Sequence, residues 1–161
     1  MTPDTASPIL RRALIAFGLI ASLVAGPHVV ADELDDQVKA ACSGLSARFN
    51  NGGPKSDAMD DEIGKAIDGN ADLKAVMARA RFTGSARACG SDTKAAETRL
   101  DAGAAAFFPG SAAKARRLVQ IFHCTEARTA REAGSHWDNA RFCTQAQSNF
   151  DTYVTHNQAP P

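Results

Sequence analysis

The sequence predicts an all-α fold, a small bundle of five or six helices that is closed by two disulfides and ends in an antiparallel helical hairpin. Three observations predict it. From Asp32 onward apolar residues recur every three or four positions, the repeat of one buried helix face. The sequence lacks the β-branched, strictly alternating runs that mark half-buried strands. Clusters of Gly, Pro and Asn cut the periodic stretches into pieces of ordinary helix length.

Residues 1–31 read as a cleavable export signal and 32–161 as a single helical domain with 159–161 frayed. Arg11 and Arg12 precede an uncharged run from Ala13 to Ala25, and Val29-Val30-Ala31 offers small residues to a signal peptidase ahead of Asp32 and Glu33. A retained anchor is the rival reading. A spanning helix needs about 20 apolar residues, whereas this run meets Gly26-Pro27-His28 first. The paired arginines followed by Leu14 and Ile15 also fit the core of a twin-arginine signal, but Leu10 stands where that route wants a polar residue. The general secretory route is therefore expected.

The first helix of the domain is expected from Asp32 through Phe49, with Leu34, Val38, Cys42 and Leu45 on one stripe and four acidic residues in the first turn. Asn50-Asn51-Gly52-Gly53-Pro54 should stop it. A second helix from Ala58 to Asp68 should end at Gly69, and a third should run from Ala71 to about Phe82, broken by Thr83-Gly84-Ser85. Thr93 to Phe108 forms the fourth, ended by Pro109-Gly110. Ser111 should cap a fifth helix reaching Ala133, with Gly134 left-handed at its end. Ser135 and Asp138 resemble a capping arrangement for a last helix running to about His156.

Four cysteines in an exported chain are disulfides by default, and three pairings exist. A hairpin centred between Ala133 and Gly134 puts Cys124 opposite Cys143, beside Ala127 opposite Ala140. Small neighbours would let the helices approach, so Cys124 is expected to pair with Cys143 and Cys42 with Cys89. The four are read as staples, because no Cys-x-x-Cys motif supports redox chemistry.

Composition narrows the partners. Of 18 basic and 18 acidic residues only Arg11, Arg12 and Asp4 fall in the signal, so the domain is nearly neutral. Nucleic acid is not expected as a partner, and no stable membrane anchor remains after cleavage. His123 beside Cys124, and His136 seven before Cys143, have the wrong spacing for a zinc site. Asp68-Gly69-Asn70-Ala71-Asp72 copies the opening of a calcium loop, yet Leu73 and Arg79 replace its required Gly and Glu. Met59 or Met77 with His123 or His156 could serve as axial haem ligands, but the methionines fit the core better. No nucleophile elbow, zinc-protease motif or phosphate loop occurs.

No residue is therefore assigned to catalysis, a cofactor or a metal. Arg79, Arg81, Arg87, Arg116, Arg117, Arg128 and Arg131 read as solvated helix faces, with Arg128, Arg131, His136 and Trp137 as the candidate partner contacts near the hairpin turn. The expected function is a non-enzymatic binding or accessory module for another exported protein, in a bacterial periplasm or secreted. The alternative is an enzyme or a haem or metal carrier whose site is assembled from residues distant in sequence.

Overall fold

The computed structural model describes residues 31–160, Trp137 excepted. Residues 1–30 of the proposed signal lie outside the described residues, and its last residue, Ala31, begins the first helix. Those that are described form an all-helical bundle with no strand: α1 (Ala31–Cys42), α2 (Ala58–Gly69), α3 (Ala71–Ala88), α4 (Lys94–Phe107), α5 (Ala112–Gly134) and α6 (Ala140–Asn149), the last continued by a π-helical segment, Phe150–Thr155. α5 is the axis of the bundle. α3 packs along it over the largest interface, and α1, α4 and α2 cover its remaining sides. The core between them holds Leu45, Ile63, Leu73, Leu118, Ile121 and Phe122. No helix among the described residues is long and apolar enough to cross a membrane.

Helix ends follow capping chemistry. Asp57 accepts from the Met59 and Asp60 amides at the start of α2. Asn70 closes α2 and opens α3, its side chain accepting from Asp72 and Leu73, so the calcium-like run serves as a helix stop and start. α1 ends at Cys42, seven residues before its expected end. Gly44, at φ +71°, turns the chain, and residues 45–54 form a loop closed by the Ala47 amide on the Pro54 carbonyl at 2.6 Å. Leu45 enters the core from this loop, which is how an apolar stripe extends past a helix that has ended.

α3 passes through Thr83-Gly84-Ser85 rather than stopping there. The Thr83 hydroxyl donates to the Arg79 carbonyl one turn back, satisfying itself in a fully buried position. Gly84 faces α5 so closely that a methyl group there would overlap the Glu126 carbonyl oxygen and sit 3.0 Å from the Thr129 Cβ. A residue that weakens an isolated helix here permits a close approach of α3 to α5. Gly134 likewise stays helical instead of left-handed, and a methyl on it would meet the Leu34 side chain at 2.7 Å.

The disulfides correct the expected pairing. Cys42 is bonded to Cys124 and Cys89 to Cys143, with Cα separations of 4.7 and 5.4 Å. The hairpin register required α6 to run back along α5, but α6 lies on α3 instead, starting from Asn139 as its cap rather than Ser135. The α5 face at Cys124 is already occupied by α1 and the loop after it, where the Phe49 carbonyl oxygen lies 3.6 Å from the Cys124 sulfur. Cys143 meets Cys89 at the C-terminal end of α3. Two disulfides fit an oxidising, extracytoplasmic compartment.

Candidate functional site

Three polar clusters stand out, and two of them hold the fold together. In the first, Asp60 is fully buried and accepts from the Ser46 amide at 2.6 Å and from Arg117 Nε and Nη2 at 2.6 and 3.1 Å. Arg117 also donates to the Gly44 carbonyl, and Gln120 Nε2 to the Ser43 carbonyl. Together they clamp the loop after α1 onto α2 and α5. Burial alone would raise the Asp60 pKa, but the donors from Arg117 and Ser46 outweigh it and hold the carboxyl below its ordinary range.

The second cluster ties α4 to α5. His123 Nδ1 lies 3.0 Å from Glu126, and Nε2 lies 3.0 Å from Asp101. Arg87 and Thr93 address Glu97 beside them. The hydrogen bond to Glu126 pushes the His123 pKa up to about 9 against the opposing effect of burial, with both carboxylates' charges adding to the rise. Burial pushes the Glu126 carboxyl up, and His123 opposes that. Both ring nitrogens thus face carboxylates. No group of three or more His, Cys, Asp or Glu side chains among the described residues is arranged to hold a metal ion.

The third cluster is open. A cleft of about 580 Å³ lies between α2, α3, α5 and the loop after α1, a volume ordinary for ligand sites. Phe49, Ile67 and Met77 supply its apolar lining, and Thr125 and Thr129 add hydroxyls. Arg48, Arg81 and Arg128 converge on it with Asp68 and Glu132. Arg48 is paired with Asp68 and lies against Gly64, where a side chain would overlap its guanidinium. Arg128 Nη1 donates to the Phe49 carbonyl at 3.0 Å and has no carboxylate partner among the described residues. Neither has the exposed Arg81. Arg81 and Arg128 therefore face the cleft without an ion pair, and with Asp68 paired to Arg48 the Glu132 carboxylate is the lining group that partly offsets their charge.

The residues expected as partner contacts separate. Arg128 lines the cleft, whereas Arg131 turns away to pair with Asp35 on α1. His136 is exposed beyond the end of α5, its ring 5.5 Å from that of Phe142 on α6. Trp137 lies outside the described residues. The basic residues read as solvated faces also divide: Arg117 is only 17% exposed, Arg79 is bonded to the Tyr153 and Gln158 carbonyls, and Arg87 pairs with Glu97. Nothing local in the sequence marks Arg48 or Arg81 as a contact, because one falls within the expected first helix and the other resembles any exposed helical arginine. Their convergence depends on the α1–α2 loop and the α3–α5 seam, which leave no local pattern.

The fold and cleft define an all-α, disulfide-linked domain with a partly basic, partly apolar recess between α2, α3 and α5. No protein-family model matches the chain, and comparisons with curated proteins and with solved structures found no match.

Proposed function

We propose that the chain is an exported binding module, periplasmic in a bacterium or secreted after loss of residues 1–31, that docks non-enzymatically on another exported protein. The observation that carries this reading is the pair of guanidiniums, Arg81 and Arg128, that face the cleft outside any ion pair among the described residues, beside the apolar side chains of Phe49, Ile67 and Met77. A guanidinium fork matches a carboxylate in geometry and charge, and Ile67 and Met77 give the chain beside that carboxylate a surface to cover. An acidic segment of the partner is the ligand this combination suits.

The test is photocrosslinking in the native host from a reactive residue at Glu132, on the exposed rim of the cleft, and at Ala113, away from it. A recurrent exported protein should be captured at position 132 only, through a peptide rich in Asp or Glu, and capture should fail in Arg81→Ala with Arg128→Ala. Absence of a recurrent partner, or capture indifferent to the two arginines, overturns the proposal.

A further inference from the structure

Resting on that reading, we infer that the cleft is one half of a two-part groove and that the segment it takes carries an acidic side chain and a large apolar side chain two positions apart. Arg81 lines a second, smaller cavity of about 190 Å³ on its other side, walled by Phe82 and Ser85 of α3 and by Phe142 and Ala146 of α6. The two cavities follow one stripe of α3. Met77, Arg81 and Ser85 are spaced four apart and share a helix face, with Met77 in the first cavity, Ser85 in the second and Arg81 in both.

The second cavity is mainly apolar and its walls are braced. Phe82 stacks on Tyr153 at 5.0 Å, and Phe142 packs against His136. α6 is placed there by the Cys89–Cys143 bond at the end of α3. An aromatic or branched aliphatic side chain would bury apolar surface in this cavity while a neighbouring carboxylate meets Arg81 and Arg128.

Helical rise sets the spacing. The α3 residues of the two cavities are centred about four positions apart, which is about 6 Å along the axis. In an extended peptide, residues i and i+2 point the same way and lie about 6.7 Å apart, whereas residues i and i+1 point to opposite faces. Acidic-x-apolar, in either chain direction, matches the groove; adjacent placement does not.

The experiment is amide-resolved NMR titration of the isotopically labelled protein recovered after export of the full chain. The probes are seven-residue Gly/Ser peptides carrying Asp and Phe two apart in both orders, Asp and Phe adjacent, or Asp alone. One of the peptides spaced by two should bind at least about fivefold more tightly than the adjacent and Phe-less peptides, with shifts at Arg81, Ser85 and Ala146. Gln145→Trp, which fills the second cavity from an exposed position, and Phe142→Ala should each erase that preference while leaving the affinity for Asp alone unchanged. Equal binding of all Asp-bearing peptides overturns the two-part groove and leaves the acidic-segment reading standing. Binding of none overturns both.

Discussion

Replacing Asp60 by Ala removes the acceptor that three donors share in the interior. The Ser46 amide is left without its partner, and Arg117, 17% exposed, loses its carboxylate partner while keeping the Gly44 and Gln120 oxygens. Breaking one side of a buried ion pair costs about 3–5 kcal/mol, and the two oxygens that remain on Arg117 place this case near the lower end, about 3 kcal/mol. For a domain of this size that is a fall in Tm of about 9–15 °C. Asp60→Asn keeps the shape and one acceptor, so about half the loss is expected. The sign of the pH dependence follows from the depressed folded pKa: the carboxylate's stabilisation is present above its unfolded value of 3.8 and is lost as pH falls through the lower folded value. The advantage of the wild type over Asp60→Asn should therefore shrink on acidification. Urea unfolding followed by circular dichroism, with disulfides intact, measures both quantities. A loss below 1 kcal/mol for Asp60→Ala, or a wild-type advantage unchanged between about pH 6 and 2.5, would refute the clamp.

Other expectations rest on separate features. A non-reducing peptide map should recover Cys42 linked to Cys124 and Cys89 to Cys143. The first pair is 1% exposed at each residue and the second only partly buried, so mild thiol treatment should open Cys89–Cys143 first. Loop-closure entropy assigns these bonds about 4.5 and 4 kcal/mol respectively, so equilibrium unfolding of Cys-to-Ser pairs should show large losses for both. Gly84→Ala should cost about 1–3 kcal/mol or more because rigid backbone blocks the methyl, whereas Gly134→Ala should lie near zero, the Leu34 side chain shifting while helix propensity improves. Thermal melts of the two variants separate these cases, and equal losses would discredit the seam argument. With a folded His123 pKa of about 9 against an ordinary 6.5, its stabilisation is complete below 6.5 and disappears as pH rises through 9. The raised Glu126 pKa also lowers stability as pH rises, but from its ordinary 4.5 upward, so the limb between 6.5 and 9 belongs to His123 and His123→Gln should flatten it; an unchanged limb would count against the cluster.

Much of this architecture is legible locally. Caps at Asp57, Asn70 and Ser111 bond to amides two or three residues on, and a stop such as Pro109-Gly110 acts within its own turn, so each leaves a short sequence pattern. Where the reading failed, a distant partner had intervened. Thr83 and Gly84 look like a break until α5 lies against them, and Leu45 continues the α1 stripe only because its loop is held down by Asp60 and Arg117. Half of the cleft is legible in the sequence, at Arg128 near the end of α5, whereas Arg48 and Arg81 join it through elements far apart along the chain.

By itself the sequence determined an all-helical domain with its cysteines committed to disulfides, because periodicity, capping and composition act over a few residues. The tertiary structure alone decided which cysteines meet, since the direction α6 takes after residue 139 depends on which face of α3 or α5 is still uncovered. The same long-range packing decided which arginines are consumed by the fold and which are left facing a cleft, because an ion pair between α2 and α5 costs and gains energy only once those helices touch.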